Sequence, residues 1–419
     1  MQFHFRLRTP LLNAVSTPAL ALALTMAFSV SSSVAVARQV QSVGSNATFD
    51  VATWNIEWFG STSNGPSDES RQMDNVVDVM ENSDIDLWAL QEISDAGTFD
   101  DLLARLGDDW AGTLATNSGQ QRIGFVYRTA VVQPRRVEHI LESFAYEYAF
   151  RPPLSMEATV TLPDTSFVAT LVTVHMKCCS DSESHTRRTS ASSRLKSRLD
   201  FLEADDNVII LGDLNDTIRD SITPGKPSPY TNFLEDPDRW QILSLPLEDA
   251  GTCTFCGGSQ TSTIDHILVS NELFSAASAG TTDRHSSVIQ GVSGFLSTTS
   301  DHVPVYSRLL PTASGTNVTH LPDPDESRTG TLDVWPNPAG TTLNLRFSDL
   351  NNARLRAALQ TTGASGSIHV RMVDALGRTV RSLDMGTGTG QTTLSLSGLP
   401  AGLYLLDAGM AGRTTVLVR

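Results

Sequence analysis

The chain has only three lysines, Lys177, Lys196 and Lys226, and its 30 basic residues face 46 acidic ones. A formal net charge of −16 repels phosphate polyanions, so chemistry on nucleic acid here needs bound cations or a local basic patch. Long apolar runs are equally scarce. The one present, Leu11 to Val30, follows Arg6 and Arg8 and precedes small residues ending Ala35-Val36-Ala37. It reads as a secretory signal with an A-x-A cleavage site after Ala37. About 20 apolar residues also suffice for an anchoring helix, but Ser, Thr and Pro interrupt this run, and no later segment is apolar enough to span. Cysteine is limited to Cys178, Cys179, Cys253 and Cys256. In an exported chain disulfides are the default. Adjacent cysteines bridge each other only with strain, so the expectation is at least one link between the 178/179 pair and the C-T-F-C segment, with no thiol left free. A four-thiolate zinc site competes, and a vicinal pair fits it poorly. No repeat of solenoid period is present, and an apolar content of 40% argues against disorder.

Length alone suggests two or three units. Residues 311–330 lack apolar periodicity, are rich in turn formers and read as a linker. Upstream, strand-like and helix-like stretches alternate. Phe49 to Trp54, Ile85 to Leu90, Ile123 to Tyr127, Ala158 to Leu162, Phe167 to Val174, Val208 to Leu211, Ile264 to Val269 and Val303 to Leu309 are β-rich. Met73, Val76, Val77 and Met80, then Phe99, Leu102, Leu103 and Leu106, keep helical spacing. Downstream, short runs at 343–347, 368–373, 392–396, 403–407 and 414–418 alternate with Gly and Asn turns and predict a small β-sandwich. Its one histidine, His369, sits in a strand-like run and reads as structural.

Polar residues recur at the ends of the upstream runs. Apolar stretches lead out into Asn55, Glu92, His175 and Asp213-Leu214-Asn215, and others are entered through Asp265-His266 and Asp301-His302. Where neighbouring strands run antiparallel, the exit of one lies beside the entry of the next, so all these side chains can meet at one edge. Taken singly, each has an ordinary structural role as a turn former or cap. Together they supply hard oxygen ligands and two histidines, which suits magnesium-assisted hydrolysis of a phosphate ester. A histidine held by a carboxylate can activate the attacking water. The D-L-N-D run lacks the Gly and Glu of an EF-hand.

The runs W-N-I-E-W-F (54–59), L-Q-E (90–92), V-T-V-H-M-K (172–177), G-D-L-N-D (212–216), S-T-I-D-H-I-L-V-S (262–270) and S-D-H-V-P-V (300–305) resemble the endonuclease/exonuclease/phosphatase superfamily, the fold of pancreatic deoxyribonuclease and the apurinic endonucleases. The resemblance implies an α/β fold, a four-layer α/β/β/α sandwich with the site where two sheets open. Asn55, Glu92 and Asp301 then match the metal-side positions, with Mg2+ (or Mn2+ or Ca2+) as cofactor. His175 matches the histidine on the scissile phosphate, Asp213 and Asn215 the pair that positions nucleophile and phosphate, and Asp265 the carboxylate orienting the general base His302. For members of the family it is argued whether that histidine or the aspartate matched by Asp213 takes the water proton. Arg151 resembles a phosphate-approaching arginine. His266 stands where many apurinic endonucleases carry an aromatic residue and reads as a packed strand residue, and the C-C after Lys177 is not a general family feature.

In the tail, V-W-P-N-P-A-G-T-T-L-N-L (334–345), V-D-A-L-G-R-T-V (373–380) and L-P-A-G-L-Y-L-L (399–406) resemble the C-terminal sorting domain of type IX secretion. Pro336, Asn337, Pro338, Asp374, Gly377, Gly402 and Tyr404 match its recurrent positions.

The expected order is therefore a signal peptide at 1–37, a catalytic domain at 38–310, a linker at 311–330 and a sorting β-sandwich at 331–419. The expected product is a secreted or cell-surface monomer without stable membrane insertion, a metal-dependent nuclease acting on DNA or RNA. A phospholipid or inositol-phosphate phosphodiesterase keeps the same chemistry, but the sequence offers no exposed aromatic hairpin or amphipathic helix for a membrane surface. A non-catalytic binding module is the reading outside enzymology. The basic cluster Arg187, Arg188, Arg194, Lys196 and Arg198 fits either a solvated helix face or a track for a phosphate backbone.

Overall fold

A computed structural model describes residues 39–116, 120–203, 206–257, 261–311, 331–337, 339–348, 367–374, 378–386, 391–407 and 413–419. The expected signal peptide, all but the first residue of the expected linker, and the motif positions Pro338 and Gly377 lie outside these residues.

The upstream region holds two six-stranded sheets. The first contains β1 (Phe49–Phe59), β2 (Leu87–Ile93), β3 (Trp110–Leu114), β4 (Arg122–Arg128), β11 (Thr281–Arg284) and β12 (Val305–Leu309), in the order β11-β12-β1-β2-β4-β3. The second contains β5 (Val132–His139), β6 (Leu154–Leu162), β7 (Thr165–His175), β8 (Val208–Asp213), β9 (Trp240–Ile242) and β10 (Asp265–Ser270), in the order β5-β6-β7-β8-β10-β9. Each sheet has one parallel pair at its centre, β1 with β2 and β7 with β8, flanked by antiparallel neighbours. The carboxyl ends of both parallel pairs therefore carry Asn55, Glu92, His175 and Asp213. In open α/β sheets that is the end where ligands bind.

Burial follows the period of two. On β1, Phe49 and Val51 enter a core shared with Phe167, Leu171, Ile209, Leu211 and Ile267 of the other sheet. Ala52, Trp54 and Ile56 point the opposite way, against Val76, Val79 and Met80 of α1 (Glu69–Ser83) and Phe99 and Leu102 of α2 (Ala96–Leu106). On the far side, Val172, Val174, Val208 and Ile210 pack on Ala191, Leu195 and Leu199 of α3 (Ser182–Leu202). Both faces of each central strand are covered, which is why these strands read as nearly continuous apolar runs. The result is the expected α/β/β/α sandwich.

The C-terminal region is all-β among its described residues. β13 (Thr331–Trp335), β14 (Thr342–Ser348) and β17 (Gln391–Ser395) form one antiparallel sheet, in the order β13-β14-β17. A second, β16-β15-β18-β19, joins β15 (Ser367–Val373), β16 (Thr379–Gly386), β18 (Gly402–Asp407) and β19 (Arg413–Val418). Leu343, Leu345 and Leu394 of the first meet Val370, Met372, Tyr404, Leu406 and Val416 of the second in one core. His369 falls on β15.

At the amino ends of β1 and β2, away from the functional edge, the Asp86 carboxylate accepts the Asp50 amide at 2.9 Å. Burial pushes Asp86 up to about 7, with the Asp50 charge adding to the effect, and burial pushes Asp50 up to about 6. A carboxyl whose pKa is higher in the fold than in the unfolded chain costs stability as pH rises between the two values. Asp86→Asn keeps an acceptor for the Asp50 amide and removes that charge. The variant is expected to exceed the parent by about 1–3 kcal/mol at pH 8 and to match it near pH 4. Urea unfolding followed by tryptophan fluorescence reads this, and equal midpoints at pH 8 would refute it.

Candidate active site

The site forms where β1 and β2 end beside β7 and β8. Two irregularities aim its side chains. The β1–β2 register shifts between Asn55 and Phe59, where Glu57 and Trp58 have φ of 44° and 52°. The β2–β4 register shifts between Leu90 and Ile93, around Glu92 at φ 64°. Such bulges turn side chains out of the pleat and concentrate at functional sites.

Asn55 is buried and donates Nδ2 to Asp213 Oδ2 at 3.0 Å, joining the two sheets. Its Oδ1 accepts the Glu57 amide. Asp213 accepts the Asn215 amide through Oδ1, and burial pushes it up to about 7 against the opposing pull of His302. Asn215, at φ 53°, donates Nδ2 to the Met176 carbonyl. His175 points Nε2 at Asp213 Oδ2 (3.6 Å) and Glu92 Oε1 (3.8 Å), and its buried Nδ1 has no protein partner. Burial, then the charges of Arg151 and His302, hold it well below the usual histidine range, which favours its neutral form.

Asp265 opens β10 directly opposite Asp213. It accepts His302 Nδ1 at 2.8 Å, which fixes the imidazole and leaves Nε2 facing Asp213 Oδ2 and Asp301 Oδ1, each at 3.9 Å. Burial opposes charge on His302, but Asp265, Asp213 and Asp301 outweigh it and push the pKa up to about 10. Positive charge among these carboxylates would act in the other direction. The segment holding Asp301 and His302 is pinned from both sides. Ser300 Oγ donates to the Asn55 carbonyl and Trp54 Nε1 to that of His302. Cys256 and Gly257 donate their amides to the Asp301 carbonyl. A Cβ on Gly257 would lie 2.3 Å from Asp301 Cβ, so only glycine fits there.

That pinning loop corrects the expected cysteine pairing. Cys253 and Cys256 bond to each other, with Cα atoms 5.5 Å apart, and Cys178 and Cys179 are free and exposed. The C-T-F-C spacing places its two cysteines within the usual disulfide range, so no partner from the 178/179 pair is needed.

Glu57 is a residue that sequence reasoning missed. Its Oε2 accepts the Asp301 amide at 2.9 Å, and burial, followed by the charges of Asp301 and Glu92, pushes it up to about 7. It stands two positions after Asn55 in the same quoted run, but the bulge there breaks the alternation, so period-two spacing gave no signal for it. Burial and then the charge of Glu92 also raise Asp301, against the pull of His302. Glu57, Glu92 and Asp301 thus form a set of carboxylates that repel one another, with the Asn55 amide beside them. Hard oxygens of this kind suit a divalent cation of the magnesium or calcium type by their chemistry, although the three carboxylates do not bring ligand atoms within 4.8 Å of one another. Among the described residues, Asp213, Asp265 and His302 do. There, however, His302 Nδ1 and Asp265 Oδ2 already bond to each other, so that trio fits proton transfer better than ligation.

The structure places the remaining expected residues as follows. Arg151 is buried and donates to the carbonyls of His175 (3.4 Å) and Met176 (3.1 Å) and to Gln121 Oε1 (3.0 Å), so it braces the strand end that carries His175. His266 bonds Ser244 Oγ and the Thr263 carbonyl and is fully buried, as its strand reading implied. The residues of the basic cluster have partners within the protein. Arg188 is buried on Asp216, Arg187 lies over Tyr146 and Arg194 over Phe144, Lys196 pairs with Asp200 and Asp236, and Arg198 lies near Glu138 and Glu203. The structure also adds an exposed aromatic pair that the sequence did not announce. Tyr146 (50% exposed) and Phe150 (65%) meet edge to face at 6.2 Å, and Phe150 adjoins Arg151.

Residues 333–417 match the model of the secretion system C-terminal sorting domain, which implies export through type IX secretion to the cell surface or beyond. No helix among the described residues is long and apolar enough to cross a membrane. Solved structures with similarity include a humanised D. rerio TDP2 (16% identity, 62% of this chain and 98% of that chain, TM-score 0.47). An endonuclease/exonuclease/phosphatase from Bacteroides vulgatus (14%, 62% and 98%, TM-score 0.45) and the Bacteroides thetaiotaomicron mannosyl-6-phosphatase Bt3783 (15%, 63% and 100%, TM-score 0.41) are also similar. No curated protein matches the chain. Residues 52–302, more than half of the chain, match the endonuclease/exonuclease/phosphatase family model, and the chain belongs to that family.

Proposed function

We propose that the protein is a secreted, divalent-metal-dependent phosphodiesterase, and that its substrate is nucleic acid, DNA or RNA. The observation carrying this reading is the Asp265–His302 pair, whose Nε2 lies 3.9 Å from Asp213 Oδ2. That separation is beyond a direct hydrogen bond, and a water set beside the line joining the two atoms can bond both. Asp265 holds the imidazole with Nε2 aimed at Asp213, and Nε2 is able to take the water proton where bound positive charge offsets the carboxylates that push His302 up to about 10; Asp213, itself pushed up to about 7, is the neighbouring acceptor for that proton. His175, neutral, donates to a phosphoryl oxygen, and Asn215 positions the phosphate. Glu92, Asp301, Asn55 and Glu57 would hold Mg2+, or Mn2+ or Ca2+, which supplies neutralising charge to the phosphoryl oxygens. Arg151 keeps His175 in place from behind.

The exposed Tyr146–Phe150 pair supports nucleic acid, because bases stack on aromatic faces whatever their identity. The same pair keeps open a second reading, a phospholipid headgroup phosphodiesterase, in which the rings would meet a membrane surface. In either case the chain is proposed to be made with a signal peptide at 1–37, and to join catalytic residues 38–310 through the 311–330 linker to the sorting domain at 331–419.

The test is hydrolysis of supercoiled plasmid and single-stranded RNA by the full chain with magnesium, with calcium and with chelator. Metal-dependent nicking that chelator abolishes is the expected result. Intact nucleic acid together with metal-dependent release of a phospholipid headgroup would move the substrate to the second reading.

A further inference from the structure

Cys178 and Cys179 follow the end of β7 by three and four residues and lie on the rim beside His175. Both are exposed, and their Sγ atoms are 2.8 Å apart. Cys179 adopts φ 82°, a conformation a non-glycine residue holds only when its surroundings impose it. Arg188, fully buried, holds the turn from below. Its Nη1 donates to the carbonyls of both Lys177 and Cys179 at 2.8 Å, gripping the turn on either side of Cys178. The other two cysteines of the chain are bonded to each other, so neither is a partner for this pair. The sorting domain directs the chain out of the reducing cytosol, into surroundings where disulfides form and persist.

We propose that Cys178 and Cys179 are a redox modification site that closes as a vicinal disulfide in the exported protein and reopens readily under reduction. The oxidant is a small-molecule or protein disulfide. One cysteine thiolate attacks it, releasing one thiolate leaving group and forming a mixed disulfide. The neighbouring thiolate then displaces the second leaving group. The two protons lost from the cysteines end on the two released thiols, so one disulfide is consumed and one is made.

Adjacent Cα atoms are only about 3.8 Å apart, whereas disulfides span about 4.4–6.8 Å, so the closed ring is strained and easily reduced. Strained, exposed disulfides are the labile ones. Cys253–Cys256, with its 5.5 Å Cα separation, is the reference bond within the same molecule. Closing the ring stiffens the turn whose first carbonyl, that of Met176, is held by Asn215 Nδ2 and Arg151 Nη2. The redox state of an exposed pair thereby reaches the backbone that carries His175.

The full chain is equilibrated in glutathione buffers from fully oxidised to fully reduced, quenched with acid, alkylated and mapped by peptide mass. In oxidising buffer the peptide with Cys178 and Cys179 is expected to lose both alkylations and weigh two hydrogens less, without glutathione. On titration towards reduction it should regain both alkylations while Cys253–Cys256 stays closed. Amide exchange at residues 176–180 should be slower in the closed form, and Cys178→Ser, left with one rim thiol, should show a glutathione adduct instead of the light peptide. Two alkylated thiols in oxidising buffer, a persistent glutathione adduct on the parent chain, or a bond between chains would overturn the proposal. None of these readouts depends on catalysis, so the proposed nuclease activity stands or falls separately.

Discussion

His302→Ala is expected to lower kcat on any phosphodiester the protein hydrolyses by about 10³-fold, within the span that one positioned acid–base group contributes. KM should change little, because the imidazole is held by Asp265 and faces the place of the attacking water. Asp265→Asn leaves the imidazole in place but removes the charge that orients it, so a smaller loss is expected, about 10²-fold. The comparison is made on bis(p-nitrophenyl) phosphate with magnesium, with circular dichroism as the check that both variants fold. A His302→Ala protein within tenfold of the parent would remove His302 from the reaction and leave Asp213 as the remaining candidate base.

Arg188→Ala should produce the largest loss of stability of any single change outside the apolar cores, about 3–5 kcal/mol. Arg188 and Asp216 are both fully buried, and the guanidinium contacts Asp216 Oδ2 through Nε at 2.9 Å and Nη2 at 2.8 Å. It also serves Thr223 Oγ1 and the carbonyls of Lys177 and Cys179. Truncation leaves a buried carboxylate without its counter-charge and two carbonyls without a donor, and that unpaired state sets the size of the loss. Arg188→Lys keeps the charge but lacks the planar fork, so an intermediate loss is expected. Denaturant unfolding measures both, and a loss under about 1 kcal/mol for Arg188→Ala would mean that water or another cation takes over the Asp216 carboxylate.

The central strands and the site were legible for the same reason. A strand covered on both faces is a run of apolar residues, and the polar residue that ends such a run stands out. Asn55, Glu92, His175 and Asp213 are of this kind, and Asp265 and His302 mark the entries of antiparallel partners. Most edge strands were not legible, whereas β17 and β19 answer to the runs at 392–396 and 414–418. β3, β5, β9, β11, β13 and β16 all lie at the margins of their sheets. β5, with the sequence V-Q-P-R-R-V-E-H, alternates nothing and is largely exposed. Charges and a proline suit an unpaired margin and erase the apolar pattern. Glu57 escaped because the bulge that aims it at Asp301 cannot be read from alternation. The roles of Arg188 and the other basic residues escaped because a charge run on a helix does not announce the acids that other segments bring to it. The cysteine pairing was misjudged by assigning strain to the wrong pair's alternatives: the C-T-F-C segment closes on itself.

The two sheets repeat one plan, a parallel pair at the centre with an antiparallel neighbour beside it, and each holds half of the chemistry. Asn55, Glu57, Glu92 and His302 belong to the first sheet and its loops, and His175, Asp213, Asn215 and Asp265 to the second. The bonds that matter, Asn55 to Asp213 and His302 to Asp265, run across the seam. The proposed turnover is therefore a gauge of how the halves are aligned. A slip of about an ångström between the sheets separates His302 from Asp265 while leaving each sheet's hydrogen-bond ladder intact, so mild denaturant should abolish the proposed hydrolysis well before the secondary structure melts.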